Sequence, residues 1–479
     1  MDFARVAQHL TRHFQRTREA PVAVRVDPRE IRTHLRDRYG FGGPTPLDAV
    51  FDDVTEMMWK WTEHGNNPRH VGLFRPGVDP TCVIAETLAA AYDANLATWN
   101  FAPAANEIER HTLAFLMRRF GLDPDAGIAQ FTSGGQESNH TAVIVALTQA
   151  FPEIARKGLR ALRGRPVFYL SSEGHHSFDK VAHATGLGRE ALRFVPVDAR
   201  LRMDVDLLRE MIKIDRTRGD LPFMLIATAG TTSAGVIDPL GELGEIARAE
   251  GLWYHVDAAW GGAAIVSDRL RPLLAGIEQA DSITCDAHKW FSVPVGCGMF
   301  FCRSRQPLAT AFGTETAYVP EQSDDGRVYP FITSLQWSRR FNGLKLFMLL
   351  AERGQQGVAE RIERQTAIGY ALRERLRAAD FSIVNDTPLP VICFTHAALG
   401  ADPAAHDRVC AYLAERQIAW MSRTLLDHRT PALRACITHV DTDERDLDAM
   451  VDGLRAAIGV AGVAGADVRS VPGVPSVRS

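Results

Sequence analysis

At 479 residues the chain is too long for a single hydrophobic core, and a prior of roughly 150 residues per domain predicts two or three. Its 46% apolar and 23% charged content is that of an ordinary globular protein, and a net charge of −4 leaves no excess of either sign to draw it to nucleic acid or a membrane surface. The first fifteen residues carry charges throughout, no later stretch runs about 18 apolar residues without a charge, and Cys82, Cys285, Cys297, Cys302, Cys393, Cys410 and Cys436 fall at no disulfide or zinc spacing, so a cytoplasmic protein with reduced, buried thiols is expected.

Phe3, Val6, Leu10 and Phe14 recur at helical spacing and predict an amphipathic first helix with one apolar face. The next stretch, Pro21 to Pro46, is rich in Pro, Gly and Arg and offers little core to cover that face, which points to a second subunit. A helical pattern at Phe51–Trp61 leads into the loop NPRHVGLFRPG (Asn67–Gly77), followed by helical patterns at Pro80–Ala97 and Glu107–Phe120. From Ile128 onward apolar runs alternate with helical segments: IAQF, VFYLS, RFVPVD, FMLIATAG, LWYHVDAA, SITCDA and GMFFC. Continuous apolar strands separated by helices predict an α/β architecture, a mostly parallel sheet with helices on both faces and ligands beyond the carboxyl ends of its strands. A loop from Thr314 to Ser334 precedes a long helical region, Leu344–Ala378, and Phe381–Ala457 reads as a smaller α+β domain. The expected organisation is an N-terminal arm (1–80) exchanged between subunits, a large domain (81–355), a small C-terminal domain (356–460) and a flexible tail (461–479).

The chemistry gathers at the predicted strand ends. Lys289 lies in DSITCDAHKWFSVPVGCG, one of only six lysines in a chain with 54 Lys+Arg residues. A lysine kept among apolar residues can lose its proton and attack a carbonyl as arginine cannot; the plain alternative is a lysine reaching out from a strand end. TSGGQESNHTA (Thr132–Ala142) puts paired glycines where a strand meets a helix, which suits an anion as well as a simple turn. His175, His176 and His183 form HHx6H, which lacks the facing pattern of a helical metal pair, so no metal is expected; a histidine at a strand end can instead lie flat on an aromatic ring. Asp257, in HVDAAWGGAA, ends an apolar strand, where it needs a cationic partner or else caps the next turn.

Glycine cradle, histidine, aspartate and lysine, in that order, match the phosphate, ring face, ring nitrogen and aldehyde of pyridoxal 5′-phosphate. From about Asn67 to Ala457 the chain resembles the group II pyridoxal-phosphate-dependent amino acid decarboxylases, which include the aromatic-L-amino-acid and glutamate decarboxylases; the pairing of HVDAAWGG with DAHKW is specific to them. The resemblance implies the aspartate-aminotransferase-like architecture known as fold-type I. It implies that Lys289 is the Schiff-base lysine, that Asp257 pairs with the ring nitrogen and that His175 stacks on the ring. It further implies that Thr228, Ala259, Asp286 and His288 contact the cofactor and that Ser133, Gly134, Gly135 and Gln136 hold its phosphate. The family usually has Asn-Pro-His-Lys where this chain has Asp286-Ala287-His288-Lys289.

Tyr318, in TETAYVPEQSDDG, falls where the decarboxylases carry a loop tyrosine that returns a proton after carbon dioxide leaves, so decarboxylation of an L-amino acid to its amine is expected, by a homodimer. The glutamate decarboxylase pattern NPRFFNQ appears here only as NPRHVGL, which argues against glutamate. Leu73, Phe74, Trp99 and Phe101 predict a pocket for an aromatic or bulky apolar side chain, and Arg75 is the residue able to favour an acid instead. Three other outcomes stay open: an aldehyde-forming enzyme of the same fold, a pyridoxal-phosphate-binding protein without activity, and a metal-dependent hydrolase using the histidines.

Overall fold

The computed structural model describes residues 3–314, 327 and 329–461. The apolar runs form a seven-stranded sheet: β1 (Ile128–Thr132), β2 (Pro166–Ser171), β3 (Leu192–Val195), β4 (Leu221–Thr228), β5 (Trp253–Asp257), β6 (Ser282–Asp286) and β7 (Gly298–Cys302), in the order β1-β7-β6-β5-β4-β2-β3. β3, β2, β4, β5 and β6 run parallel, and β7 opposes both β6 and β1. Every residue of β2, β6 and β7 is buried, which is why these strands read as unbroken apolar runs.

Successive side chains sort the two faces. Val167, Tyr169, Met299 and Phe301 enter one core, together with Leu113 and Leu116 of the helix Pro103–Phe120 and Leu240 and Leu243 of the helix Leu240–Glu250. Phe168, Leu170, Phe300 and Cys302 enter the other, under the helices Gly135–Ala150 and Ser177–Ala184. Each such large side chain contributes about 1.5–3 kcal/mol by leaving water.

A consequence for function follows from strand direction. The carboxyl ends of the parallel strands share one edge of the sheet, and the antiparallel β7 begins at that edge. In register, Thr132 stands opposite Gly298, Gly298 opposite Asp286, and Asp257 between Thr228 and Thr284.

A four-stranded antiparallel sheet, order β10-β11-β9-β8, forms the second core from β8 (Ser382–Ile383), β9 (Val391–Thr395), β10 (Ser422–Leu426) and β11 (Thr430–Cys436). Helices Pro403–Glu415 and Glu444–Ala461 pack on it. The long helical region, Gly343–Ala378, links the two sheets and bends at Gly354, whose φ of 65° and ψ of 169° are costly for any residue with a Cβ. Segment 67–79 is pinned to both bodies: Val71 N donates to Trp420 O, Cys436 N donates to Val71 O, and Asp79 N donates to Ser292 O.

The first helix is Phe3–Gln15, and a second, Pro28–Arg38, occupies part of the Pro/Gly/Arg-rich stretch Pro21 to Pro46. Its start was readable: the Asp27 carboxylate caps Arg29 N and Pro28 fills the first helical position. Neither of these helices, nor Leu47–Trp61, contains a buried residue. Among the described residues no helix is long and apolar enough to cross a membrane. The expected tail beyond residue 461 lies outside the described residues.

Candidate active site

The glycine cradle forms where β1 gives way to the helix Gly135–Ala150. A Cβ at Gly298 would stand 2.5 Å from Thr132 Oγ1 and 2.6 Å from Gly134 Cα, one at Gly135 2.9 Å from Asp286 Oδ2, and one at Gly134 3.2 Å from the His288 ring. Only glycine lets these three backbones close up, and the fresh helix start supplies N–H groups to an anion. Ser133 N and Oγ both donate to Glu137, at 2.8 and 2.7 Å, and Gln336 Nε2 donates to the same carboxylate. Gln136 Nε2 donates to Ser177 O.

Lys289 follows β6 by one turn, three residues after Asp286, so the two side chains meet at 3.0 Å. Burial works against the ammonium, but the carboxylates of Asp286 and Asp257 outweigh it and hold Lys289 above its ordinary pKa. His288 is lowered by burial against the pull of Asp286, and its Nδ1 accepts from Cys297 N, so the neutral ring carries its proton on Nε2. Asp257, at the end of β5, is 4% exposed and accepts from Asn139 Nδ2 at 3.0 Å and from Ala259 N at 3.1 Å. His175 sits in the loop after β2, where its Nδ1 accepts from Ser177 N and orients the ring. Thr228 ends β4; its N donates to Asp238, a carboxyl pushed up to about 6 by burial against the N–H groups of Met203 and Thr228.

Among the described residues, the buried Thr228 Oγ1 and Asp286 Oδ1 at this edge have no hydrogen-bond partner. Orphaned polar atoms in a closed site are costly until a ligand meets them. Together with the glycine cradle and an amine beside carboxylates, they fit pyridoxal phosphate, a group with an anion, a ring nitrogen and an aldehyde. The remaining predicted histidines stand apart: His176 Nδ1 is 3.5 Å from Asp179 on the exposed side, and among the described residues no group of three or more His, Cys, Asp or Glu is placed to share a metal ion.

A cavity of about 1240 Å³ opens over this edge and is lined by Leu73, Phe74, Arg75, His175, His288 and Lys289, with the helices Phe3–Gln15 and Leu47–Trp61 on its outer wall. Phe74 stacks on Trp260 at 4.5 Å and 21°, and Trp260 is fixed by donating Nε1 to Gly230 O. The single chain does not bring Trp99 and Phe101 to this cavity. Trp99 donates to Glu107 and lies under Arg327, while Phe101 is 69% exposed. Tyr318 lies outside the described residues.

The structure adds residues that were not singled out in the sequence. Arg434, in β11, is 6% exposed and lies over the Phe74 ring at 5.4 Å, yet its Nε and Nη2 have no partner among the described residues. Its signal was a single cation inside the apolar run ALRACITHV. Glu173, two residues before His175, accepts from Asp427 N at the tip of the β10–β11 hairpin and from Ser233 Oγ, tying the small domain to the His175 loop.

Comparison with known proteins identifies the family of the chain. The family described as "Pyridoxal-dependent decarboxylase conserved domain" matches residues 34–397. An L-aspartate decarboxylase, dtxS4, of Metarhizium robertsii is 32% identical over 367 residues, 75% of this chain and 73% of that protein. An aromatic-L-amino-acid decarboxylase of Bacillus atrophaeus is 27% identical over 446 residues, 91% of this chain and 90% of its own. The crystal structure of Oryza sativa TDC with PLP and tryptamine shares the fold, with a TM-score of 0.89 at 22% identity over 96% of this chain and 97% of that one.

Proposed function

The chain belongs to the pyridoxal-dependent decarboxylase family and is a pyridoxal-phosphate-dependent amino acid decarboxylase, and on that premise we propose that it converts an aromatic or bulky apolar L-amino acid to its amine and carbon dioxide. The observation that carries the substrate class is an apolar stretch of the cavity that Lys289 lines: Leu73 and Phe74 line the same cavity, and the Phe74 ring is stacked on Trp260. A side chain laid against that surface leaves water at about 25 cal/mol per Å².

Pyridoxal phosphate, when bound, supplies an aldehyde for the substrate's amino group and a ring that takes up the electrons left as carbon dioxide departs. The residues do the rest. Lys289 Nζ is the covalent anchor, and Asp286 keeps it close while it waits. Asp257, at the end of β5, would keep a proton on the ring nitrogen. His175, its ring turned by the Ser177 N–H, would wall one face of the cofactor ring. Thr228 Oγ1 gains a polar partner, and the Gly134–Gly135 turn receives the phosphate.

Arg434 is the candidate for holding a substrate carboxylate, since a buried guanidinium with two idle donors is incomplete without an anion. Arg434→Met should raise KM by roughly thirtyfold, about 2 kcal/mol, while leaving the cofactor bound; an unchanged KM would remove Arg434 from the substrate site.

Carbon dioxide release measured across the twenty L-amino acids tests the substrate class. The highest kcat/KM should fall on Trp, Tyr, Phe or Leu, and a lead for Asp or Glu would overturn it. That acidic reading is the second one, favoured by Arg75, an exposed cation on the cavity wall, and by the likeness to an L-aspartate decarboxylase.

The 1–80 arm, whose three helices bury nothing, supports an assembly in which a second copy covers it; a solution mass of one 52.8 kDa chain would contradict this. The seven cysteines are all free and buried, which supports a reducing, cytoplasmic setting. Fewer than seven reactive thiols in protein denatured without reductant would count against it.

A further inference from the structure

Behind Asp257 runs a chain of buried polar side chains that the reaction itself does not touch. Asn139, in the helix Gly135–Ala150, gives its amide N–H to Asp257 Oδ2 at 3.0 Å and to Ser177 Oγ at 3.2 Å. Its carbonyl oxygen faces His255 Nε2 at 3.3 Å, and Thr284 Oγ1 lies 3.4 Å from the same nitrogen. On the other side of the ring, His255 Nδ1 is 2.8 Å from Ser282 Oγ, which also receives Trp253 Nε1–H at 2.8 Å.

Donor chemistry fixes the direction of every link. An indole N–H only donates, so Ser282 Oγ accepts from Trp253; with the proton of the neutral His255 ring on Nε2, facing the Asn139 carbonyl, Nδ1 accepts the Ser282 hydroxyl proton. The Asn139 carbonyl has no proton to give, so His255 Nε2 is the N–H. The Asn139 amide then points its N–H at a carboxylate that only accepts. Every donor in the series aims the same way, from Trp253 through Ser282, His255 and Asn139 to Asp257.

Inward of the half-buried Trp253 the series is sealed from water: His255 and Ser282 are 0% exposed and Asn139 is 2% exposed. In a low-dielectric interior aligned hydrogen bonds polarise one another. Burial holds His255 neutral, at about 4 against the opposing pull of Asp257, as an N–H relay requires.

We propose that Asn139 and His255 are positioning residues for Asp257, forming with Ser282 and Trp253 a one-directional hydrogen-bond series that fixes the carboxylate's orientation and sets how firmly it keeps the cofactor's ring nitrogen protonated. This rests on the assignment of Asp257 to that nitrogen. The series acts through Asp257 and makes no contact with substrate.

The test uses full-length protein reconstituted with pyridoxal phosphate labelled with 15N in the ring, read by NMR for nitrogen protonation and by equilibrium dialysis for cofactor affinity. The parent should give a pyridinium signal. Asn139→Ala and His255→Leu should move it toward neutral pyridine and weaken cofactor binding about tenfold, the low end of what partners outside a bound group's immediate contacts cost. His255→Gln, which keeps an N–H to offer Asn139, should restore most of the parent signal. Should Asn139→Ala not fold, Ser282→Ala decides, because it trims only the far hydroxyl; it should shift the signal the same way by less. Parent-like signal and affinity in the folded variants would overturn the proposal. Asp257→Ala separates the two claims: if it shifts the signal and the others do not, the series is wrong and Asp257's role stands, whereas a pyridinium signal in Asp257→Ala removes the premise.

Discussion

Lys289→Arg should fold like the parent and lose about four powers of ten in kcat/KM, or about 5.4 kcal/mol at 1.36 kcal/mol for each. Arginine is the informative choice. Asp286 is 2% exposed and has Lys289 at 3.0 Å, so Lys289→Ala would leave a buried carboxylate without its cation, a loss of about 3–5 kcal/mol in stability. The guanidinium keeps the ion pair but stays protonated and cannot bond to an aldehyde carbon. Activity lost with stability kept isolates the chemistry of the amine, and the visible absorption of a covalently held cofactor should disappear with it. A Lys289→Arg protein that decarboxylates within tenfold of the parent would refute the anchor's role.

The second large effect is expected at Asp257. Asp257→Asn keeps the side chain's shape and removes its charge, so the loss should fall on kcat, by about two to three powers of ten, which is the range for removing one preorganised electrostatic contact of about 2.7–4 kcal/mol. KM should stay within a few-fold if Asp257 serves the ring nitrogen, as proposed, rather than the substrate's side chain. Steady-state kinetics on both variants separates these cases: a rise in KM at constant kcat would mean that Asp257 binds substrate instead.

Much of this site was legible because a parallel sheet places its chemistry at strand ends. Asp257, Thr228 and Asp286 terminate apolar runs in the sequence, and strand direction alone brings them to one edge. The glycines of the cradle were legible for a similar reason, since the backbones of Gly134 and Gly298 approach too closely for any Cβ. Ser133 enters as a phosphate contact through the family resemblance, and a carboxylate one helical turn on, Glu137, also offers acceptors to its N–H and hydroxyl. Local sequence does not say which of two acceptors a serine prefers.

What stayed hidden depends on contacts between distant segments. Arg434 and Phe74 are far apart in the chain and meet because segment 67–79 is laid between the two sheets. Asn139 looked like an ordinary helix residue; its importance appears once the helix is docked over β5. Trp99 and Phe101 were grouped with Phe74 on composition, whereas in the single chain they flank a different loop. The helix Pro28–Arg38 buries nothing, so no apolar periodicity marks it in the sequence.

The central claim is that Lys289 carries the cofactor. Borohydride reduction of the pyridoxal-phosphate-loaded protein, followed by proteolysis and mass spectrometry, tests it most directly among the chain's six lysines. The phosphopyridoxyl group should be found on the peptide containing Asp286-Ala287-His288-Lys289 and nowhere else in stoichiometric amount. Its recovery on Lys60, Lys157, Lys180, Lys213 or Lys345, or on no peptide at all, would contradict the account.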